Sequence, residues 1–370
     1  MKKLLTLLSA LVFTLACNNK IGTDNGSLNS KLPKPKNVIL LIGDGMGLTQ
    51  ITAGLYTNQN KLNLEEFKHV GLHKSYSADK LITDSAAGAT AFACGVKTYN
   101  GAIGVDQDTV AVRTLLEMAE SQNMPTGLVA TSTITHATPG SFISHQPSRK
   151  MQEAIAADFL KTEVDLFIGG GMKFFSARED DDRDISEELR EKGYVIESYF
   201  NKEITEIQPD ISNNYGYFTA NGSPLPYSSG RKYLNKATDI ALNYLNAKSS
   251  KKEGFFLMIE GSQIDWGGHA NDSEYIISEM LDFDKTIGQV LEFAKNDGNT
   301  LVVVTADHET GGYAINPGSE MGEIIGAFTT DYHTAAMIPV FAYGPGSELF
   351  GGIYENTAIF DYIKSLMRFE

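Results

Sequence analysis

The sequence predicts an α/β protein, an α/β/α sandwich built on a large and mostly parallel central sheet. Apolar, β-branched runs typical of buried strands alternate along the chain with helical patterns, and this alternation favours a parallel sheet with helices on both faces. The clearest run, TLVVVTADHETGG over residues 300–312, stops at Asp307 and His308 and then at two glycines. A strand that ends in this way opens into a crevice at the edge of a sheet.

Further strands and helices can be recognised in chain order. The other strand-like runs are VGLHKS near Val70, TGLVATS from Thr126, VDLFIGGG from Val164, YVIES from Tyr194 and PVFAYGPG from Pro339. The helical patterns are VRTLLEMAES, MQEAIAADFLK, KATDIALNYLNA and MLDFDKTIGQVLEFAK. Residues 201–230 are the least regular stretch, and we expect a surface excursion or a small insertion there.

Three apolar runs end in side chains that bind metal ions. The residues at these ends are Asp44, Glu260, Asp265, His269, Asp307 and His308. One such residue at a turn is ordinary packing, but three strand ends carrying carboxylates and imidazoles together predict a metal site. Asp265 and His269 are four residues apart, a spacing that places two side chains on one face of a helix. The glycine pair between them, Gly267 and Gly268, instead favours a bent loop.

The composition is that of a globular enzyme with an acidic surface. The chain has 370 residues, of which 42% are hydrophobic and 21% charged, enough for a large core in one α/β domain. With 31 basic and 46 acidic residues the net charge is −15, so the overall field repels nucleic acid and anionic substrates alike. A phosphate-binding site would therefore need local positive charge from bound metals and an arginine.

The first 17 residues have the features of an export signal. Two lysines precede an apolar stretch over residues 4–16, which is too short to span a bilayer as an anchor. Cys17 follows directly and indicates lipoprotein processing. Thr14 stands where a lipobox usually has leucine, so ordinary cleavage is the alternative. We expect an exported protein, either periplasmic or anchored to a membrane through a lipid on Cys17.

Residues 18–36 contain glycine, serine and proline and are typical of a flexible tether. Beyond Cys17 the sequence has a single cysteine, Cys94. An intrachain disulfide is therefore not expected, which favours a structural role for bound metal.

The segment LITDSAAGATAFACGVK contains the candidate nucleophile, Ser85. Thr83 and Asp84 precede an alanine-rich helical run, so Ser85 is expected at or beside a helix N-terminus, where free amides and the helix dipole favour anions. An N-capping serine without chemistry is the alternative. The segment holds no histidine, so a metal ion would have to deprotonate the hydroxyl.

These segments resemble the alkaline phosphatase family. The similar segments are IGDGMG around Asp44, TDSAAGATA around Ser85, THATPGSF around His136 and Thr138, SR at Ser148 and Arg149, EGSQIDWGGH, TADHETGG, and His333 ahead of AYGPG. They follow in the family's order and run from about Asn37 to the C-terminus. The resemblance implies one alkaline phosphatase-like catalytic domain over residues 37–370.

The resemblance also implies two zinc ions and one magnesium ion. The implied ligands are Asp265, His269 and His333 for the first zinc, Asp44, Asp307 and His308 for the second, and Asp44, Thr138 and Glu260 for the magnesium. Imidazole suits zinc, whereas a hydroxyl with carboxylates suits magnesium.

The implied reaction is the hydrolysis of small phosphate monoesters. Ser85 would attack the phosphorus and become a phosphoserine, and water activated at the first zinc would then release inorganic phosphate. Arg149 would hold two phosphate oxygens, because its planar guanidinium matches phosphate with two hydrogen bonds. The family is usually dimeric, but this chain is short and its segment between Gly312 and His333 is compact, so a homodimer and a chain with reduced interface elements are both open.

Two positions depart from the best-known bacterial pattern, which has Asp in place of His136 and Lys in place of Trp266. The His and Trp combination resembles some marine and cold-environment members. A neutral imidazole changes the charge and softness of the third site, so the identity of its metal stays open. The remaining histidines, His69, His73 and His145, have no such support and are predicted to be structural.

Other functions of the same metal site are the alternatives. A phosphodiesterase or sulfatase of the superfamily would keep similar ligands but alter the nucleophile segment. Ser85 is followed by AAGAT and not by the C/S-x-P-x-R segment of sulfatases, and Arg149 favours a dianionic monoester. A non-catalytic surface lipoprotein that binds phosphate or zinc is a further alternative, against which the intact nucleophile, arginine and ligands argue.

Overall fold

A computed structural model describes residues 33–250 and 253–370. The predicted export signal, Cys17 and the predicted tether up to residue 32 lie outside these residues. The described end of the tether is attached to the domain, since Lys36 donates its amide to the carbonyl of Asn299 at 2.8 Å and Lys34 forms an ion pair with Glu253.

The described residues form fourteen strands, of which ten belong to one central sheet. The strands are β1 (Asn37–Gly43), β2 (His69–Lys74), β3 (Thr126–Thr133), β4 (Leu166–Gly170), β5 (Tyr194–Ser198), β6 (Asn214–Phe218), β7 (Phe256–Gly261), β8 (Thr300–Thr305), β9 (Glu309–Thr310), β10 (Ala314–Ile315), β11 (Gly326–Ala327), β12 (His333–Thr334), β13 (Ile338–Tyr343) and β14 (Gly352–Glu355). Across the large sheet the order is β14-β2-β13-β8-β1-β7-β3-β4-β6-β5, and β13 alone runs antiparallel to its neighbours. The prediction of a large, mostly parallel sheet is confirmed.

Helices cover both faces of this sheet. They are α1 (Leu48–Thr57), α2 (Ser85–Cys94), α3 (Leu115–Ser121), α4 (Ala137–Ile143), α5 (Gln152–Asp158), α6 (Lys173–Ser176), α7 (Ile185–Glu191), α8 (Leu234–Lys248), α9 (Gln263–His269), α10 (Ser273–Asp297) and α11 (Ala358–Met367). In β1, Ile39 and Leu41 pack in one core with α8 and α10, while the alternating Val38 and Leu40 are fully buried toward the other face. A helix long and apolar enough to cross a membrane is absent from the described part of the chain.

The prediction for residues 201–230 is wrong in one respect. This stretch contains β6, which is paired on both sides within the central sheet. Gly216 in the middle of β6 suggests a turn in the sequence, but a Cβ at that position would lie 2.2 Å from Cζ of Phe167. The glycine therefore makes room for an aromatic ring and does not end the strand.

The bent loop predicted around Gly267 and Gly268 is also wrong, because these residues belong to helix α9. Close packing explains both glycines. A Cβ on Gly267 would lie 2.7 Å from the amide nitrogen of Ile276, and one on Gly268 would lie 2.7 Å from Cγ2 of Thr310. The loss of helix propensity at these glycines is offset by the close approach of α10 and β9.

Candidate active site

The predicted ligands converge at the carboxyl end of the sheet. Neighbouring strands β8, β1, β7 and β3 point in the same direction, so the residues that follow them meet at one edge. Three groups of side chains lie close enough to hold a cation, with one ligand atom of each member within 4.8 Å of the others. The groups are Asp265, His269 and His333 (cluster 1), Asp44, Asp307 and His308 (cluster 2), and Asp44, His136 and Glu260 (cluster 3).

In cluster 1 both imidazoles turn the same nitrogen inward. Nδ1 of His269 lies 2.6 Å from the carbonyl of Asp331, and Nδ1 of His333 lies 2.9 Å from the carbonyl of Thr83. A carbonyl only accepts, so each Nδ1 carries the hydrogen and each Nε2 faces the cluster. The two Nε2 atoms are 3.1 Å apart, which requires a proton or a metal ion between them.

Asp265 and His269 shift each other's pKa in cluster 1. The hydrogen bond to Asp265 raises the pKa of His269 to about 9. Although burial acts to raise the pKa of Asp265, hydrogen bonds from His269 and His333 hold it well below its usual value. An anionic carboxylate and two imidazoles at this spacing are a donor set that zinc prefers.

Cluster 2 is fully buried, and several of its carboxylate oxygens have no hydrogen-bond donor among the described residues. Nε2 of His308 lies 3.2 Å from Oδ2 of Asp307 and 3.5 Å from Oδ1 of Asp44. Both carboxylate oxygens of Asp44 and Oδ2 of Asp307 find no hydrogen-bond partner among the described residues. Burial, reinforced by the charges of Asp307 and Asp265, raises the pKa of Asp44 well above its usual value. Buried carboxylates of this kind fit a cation that would take their free oxygens.

Cluster 3 shares Asp44 with cluster 2 and adds Glu260. Ser132 donates its hydroxyl to Oε2 of Glu260 at 3.1 Å. The other carboxylate oxygen of Glu260, Oε1, and the buried hydroxyl of Thr138 have no hydrogen-bond partner within the described part of the protein. Burial raises the pKa of Glu260 to about 7. His136 belongs to the same group through its ring, and desolvation followed by the charge of Arg149 lowers its pKa to about 3. The His136 ring is therefore neutral in this setting.

Ser85 is the first residue of helix α2, as the sequence predicts. Asp84 caps this helix by accepting a hydrogen bond from the amide of Ala87 at 3.0 Å. The Ser85 hydroxyl is buried and lies 3.3 Å from Nε2 of His308, which ties it to cluster 2. The nucleophile candidate and the metal ligands thus share one site, although they are far apart in sequence.

Arg149 reaches the same site and is oriented by Asp84. Nη1 of Arg149 donates to Oδ2 of Asp84 at 3.1 Å, and Nη2 lies 3.4 Å from Nε2 of His136. Oδ1 of Asp84 also accepts from the amide of Gly101 at 3.0 Å. Asp84 therefore links the helix that carries Ser85 to the arginine. The sequence indicates only that Asp84 precedes this helix, because its contact with Arg149 spans 65 residues.

Two aromatic residues border the site. Trp266, a predicted near-site residue, is half-buried and meets the His136 ring edge-on, with ring centres 6.1 Å apart. Tyr332 was not identified from the sequence. Its ring stacks on His333 at 4.4 Å, and His333 in turn stacks on His308 at 3.5 Å. The only sequence signal for Tyr332 is that it directly precedes a ligand.

The other histidines lie outside the three clusters. His73 is buried against the carbonyl of Ala306, and His69 lies 2.8 Å from the hydroxyl of Ser347. His145 is 3.0 Å from the carboxylate of Glu117. Each has a partner in the surrounding framework, in keeping with the structural role predicted for them.

Comparison with known proteins places this architecture in one family. The model of the alkaline phosphatase family matches residues 35–327. Alkaline phosphatase 3 of Bacillus subtilis is 34% identical, over 97% of this chain and 95% of that protein. The structure of alkaline phosphatase from the Antarctic bacterium TAB5 is 46% identical, with a TM-score of 0.85 over 92% of this chain and 100% of the other. Cold-active alkaline phosphatase from a psychrophilic Shewanella species has a TM-score of 0.80 at 29% identity, over 90% and 99% of the two chains.

The fold and the comparisons define a phosphomonoesterase from a metal-dependent family. The chain belongs to the alkaline phosphatase family.

Proposed function

We propose that the protein hydrolyses phosphate monoesters and releases inorganic phosphate, with Ser85 as the nucleophile. The observation that carries the proposal is the position of the Ser85 hydroxyl. It lies at the N-terminus of α2, 3.3 Å from Nε2 of His308 and at the edge of three clusters of buried ligands. A serine that only capped a helix would not have to lie beside a histidine and three clusters of buried carboxylates and imidazoles.

The clusters support a site with two zinc ions and one magnesium ion. Cluster 1 would hold the first zinc, cluster 2 the second, and cluster 3 together with Thr138 the magnesium. When bound, these cations supply Lewis acidity, lower the pKa of a serine hydroxyl or of water, and neutralise charge on the phosphate oxygens. The unpaired oxygens of Asp44, Asp307 and Glu260 support this assignment.

The protein's own groups bind and orient the phosphate. Arg149 offers a planar guanidinium, already directed by Asp84, which matches two phosphate oxygens. The amides in the first turn of α2 add donors beside Ser85, and the helix dipole favours the anion that forms there. Attack by Oγ of Ser85 breaks the bond to the leaving oxygen and gives a phosphoserine. Water hydrolyses this ester in a second step and restores the hydroxyl.

The third metal depends on His136. A variant of the TAB5 enzyme with a histidine replaced by Asp has been solved with Mg bound in the M3 site. We propose that cluster 3 corresponds to such a site and that His136, a neutral donor, weakens its preference for magnesium over zinc. A carboxylate in place of His136 would restore a harder, more negative donor set.

Location and assembly rest on the sequence. We propose that the protein is exported and is either periplasmic or anchored to a membrane through a lipid on Cys17, with a tether that ends where Lys34 and Lys36 contact the domain. We also propose a homodimer, as is usual for the family.

The Ser85→Ala variant tests the reaction. We expect wild-type protein, mixed with a labelled monoester and quenched in acid, to yield a labelled phosphoserine peptide containing Ser85. Ser85→Ala should yield none and should lose at least about a thousand-fold in turnover, because a nucleophile cannot be replaced by binding alone. Its zinc content should stay that of wild type, because Ser85 belongs to none of the three clusters.

Ser186→Ala is the matched control. Ser186 is a buried serine in the first turn of α7, a helix that is likewise capped by an aspartate, Asp184. This variant should keep full labelling and activity. A wild-type enzyme that turns over monoesters without any trapped phosphoserine, or a fully active Ser85→Ala, would contradict the proposal.

A further inference from the structure

Thr310 lies between cluster 1 and cluster 2, on strand β9 just after the ligand pair Asp307 and His308. Its side chain is fully buried. Oγ1 of Thr310 donates to Oδ1 of Asp265 at 2.5 Å and lies 3.2 Å from Nδ1 of His308. One hydroxyl therefore contacts a ligand of each cluster.

We propose that Thr310 is a positioning residue that joins the two clusters, selects the tautomer of His308 and orients Asp265. The proposal rests on the metal site described under the proposed function. It adds to that function a group that touches neither the substrate nor a metal. Thr310 acts through the two ligands that it contacts.

The number of available hydrogens fixes the direction of both hydrogen bonds. A threonine hydroxyl has a single hydrogen, and the carboxylate of Asp265 only accepts, so that hydrogen is used on Asp265. The Thr310 oxygen must then accept from Nδ1 of His308. His308 consequently carries its hydrogen on Nδ1, and the lone pair of Nε2 faces Asp44, Asp307 and the Ser85 hydroxyl.

The same tautomer occurs in all three histidines of clusters 1 and 2. Backbone carbonyls hold Nδ1 of His269 and Nδ1 of His333. His308 has no carbonyl at this position within the described residues, and Thr310 takes that role. A partner on the outer nitrogen of a ligating histidine fixes the orientation of the ring and raises its basicity.

The packing around Thr310 leaves its side chain little freedom. Its backbone pairs with His333 across β9 and β12, and its carbonyl accepts from Nε2 of Gln50 at 2.8 Å. Gly45 and Gly268 close over the side chain, since a Cβ at either position would lie 2.7 Å from Oγ1 or Cγ2 of Thr310. The hydroxyl is thus held toward Asp265 and His308 before any metal binds.

A threonine that only filled space would be replaceable by valine, which has nearly the same shape but no hydroxyl. The zinc affinities of Thr310→Val, Thr310→Ser and wild type would be measured by titrating metal-free protein against a competing chelator. We expect Thr310→Val to bind zinc about 10- to 100-fold more weakly at both clusters, the range found when an outer partner of a ligand is lost. Thr310→Ser keeps the hydroxyl and should bind close to wild type.

Thr305→Val is the matched control. Thr305 is also a fully buried threonine on the strand that leads to Asp307, but its hydroxyl donates to the carbonyl of Pro339 at 3.1 Å and contacts no ligand. Its zinc affinity should equal that of wild type. Circular dichroism and the Tm of the zinc-saturated proteins show whether each variant is folded.

Ring nitrogen-15 chemical shifts of zinc-loaded wild-type protein provide a second test that needs no variant. The shifts of His308 should show a hydrogen on Nδ1 and a metal on Nε2. A His308 that binds zinc through Nδ1, or a Thr310→Val protein with wild-type zinc affinity at both clusters, would overturn the inference. If wild-type protein itself failed to bind zinc or to hydrolyse monoesters, the proposed function would fail instead.

Discussion

Asp44 shows at the scale of a single residue why we propose that this site holds cations. Its carboxylate is fully buried, has no hydrogen-bond partner among the described residues and contributes to two clusters at once. Asp265 is also buried, but His269 and His333 stabilise its charged form. Burial of an uncompensated carboxylate is costly. Clusters 2 and 3 are therefore the parts of the site that gain most from bound metal.

Trp266 is the residue at which we expect product affinity to change. It lies beside His136, whose ring neighbours Arg149, so a lysine here would add positive charge near the bound phosphate. We predict that Trp266→Lys tightens inhibition by inorganic phosphate by on the order of 1 kcal/mol, about fivefold, as expected for a charge acting through a partly open site. If release of phosphate limits turnover, kcat should fall as well.

The measurement is the phosphate inhibition constant of wild type and variant at the same pH. Trp266→Phe is the control, because it keeps an aromatic ring without adding charge, and its inhibition constant should stay near that of wild type. An unchanged or weaker inhibition in Trp266→Lys would show that Trp266 does not set product affinity.

Residues near the end of an apolar strand or just beyond it could be predicted from the sequence, because a carboxylate or imidazole there stands out against its neighbours. Asp44 and Asp307 follow β1 and β8, and Glu260 is the next-to-last residue of β7. Asp84 and Thr310 could not be recognised in the same way, since a capping aspartate and a buried threonine are common. Their partners lie 65 and 45 residues away in sequence. One local signal did exist for Thr310, because it is two residues after His308 and extended residues two apart share a face.

At the scale of elements, helix α9 carries two ligands of cluster 1 within seven residues. The four-residue spacing of Asp265 and His269 is helical, and both side chains do face cluster 1. Helix propensity alone argues against this helix, because Gly267 and Gly268 lie between Asp265 and His269. Tertiary packing decides the outcome, since α9 can approach β9 and α10 closely only without side chains at these positions.

We predict that Gly268→Ala destabilises the protein even though alanine favours a helix. The new Cβ would lie 2.7 Å from Cγ2 and 2.8 Å from Cβ of Thr310. Overpacking of this kind costs about 1–3 kcal/mol, against a gain of up to about 1 kcal/mol from propensity. Denaturant unfolding of the metal-saturated protein would measure the difference.

Gly222→Ala serves as the comparison, because an added Cβ there meets no atom within 4 Å. Its unfolding free energy should be close to that of wild type. A Gly268→Ala protein as stable as wild type, with unaltered zinc affinity, would mean that α9 can shift without loss.

The same contrast between the local sequence pattern and tertiary packing explains which other strands the sequence predicts correctly. The run YVIES coincides with β5, because it is apolar, β-branched and bounded by clear breaks. Strand β6 was missed, because its central Gly216 resembles a turn and the need to accommodate Phe167 arises only once β4 is in place beside it. Local composition predicts a strand such as β5, whose own residues favour an extended conformation. It fails for a strand such as β6, where packing against a neighbouring strand requires a glycine.

For the whole molecule, the acidic composition and the site have to be considered together. The chain carries a net charge of −15, and part of the negative charge lies in the buried carboxylates of the three clusters at one edge of the sheet. Bound cations would offset this local charge, and any ligand that binds only the folded state stabilises it. The metals are therefore expected to support the fold as well as the reaction.

We predict that a chelator abolishes turnover and lowers the Tm together. A metal ion present at a free concentration a thousand times its dissociation constant adds about 4 kcal/mol to the free energy of unfolding. The described part of the chain has no disulfide that could stabilise the fold instead. Activity and Tm would be followed by scanning calorimetry and a monoester assay before and after chelation. Both should return when zinc and magnesium are added back.

The Ser85→Ala variant is the control for this experiment, because it should show the same fall in Tm while being inactive throughout. Metal-free protein that keeps its full rate would contradict the metal site. An unchanged Tm would show that the fold is independent of the metals.

The wide separation of the site residues along the chain has a consequence for biosynthesis. Ser85 and His308 are 223 residues apart, and His333 reaches back 250 residues to the carbonyl of Thr83. A nascent chain that has not reached residue 333 cannot complete cluster 1, whatever strands it has already paired. Contacts of such long range are slow to form, because a long loop must be closed first. Cluster 1 is thus incomplete until nine-tenths of the polypeptide has been made, whereas all residues of clusters 2 and 3 are present once residue 308 has been added.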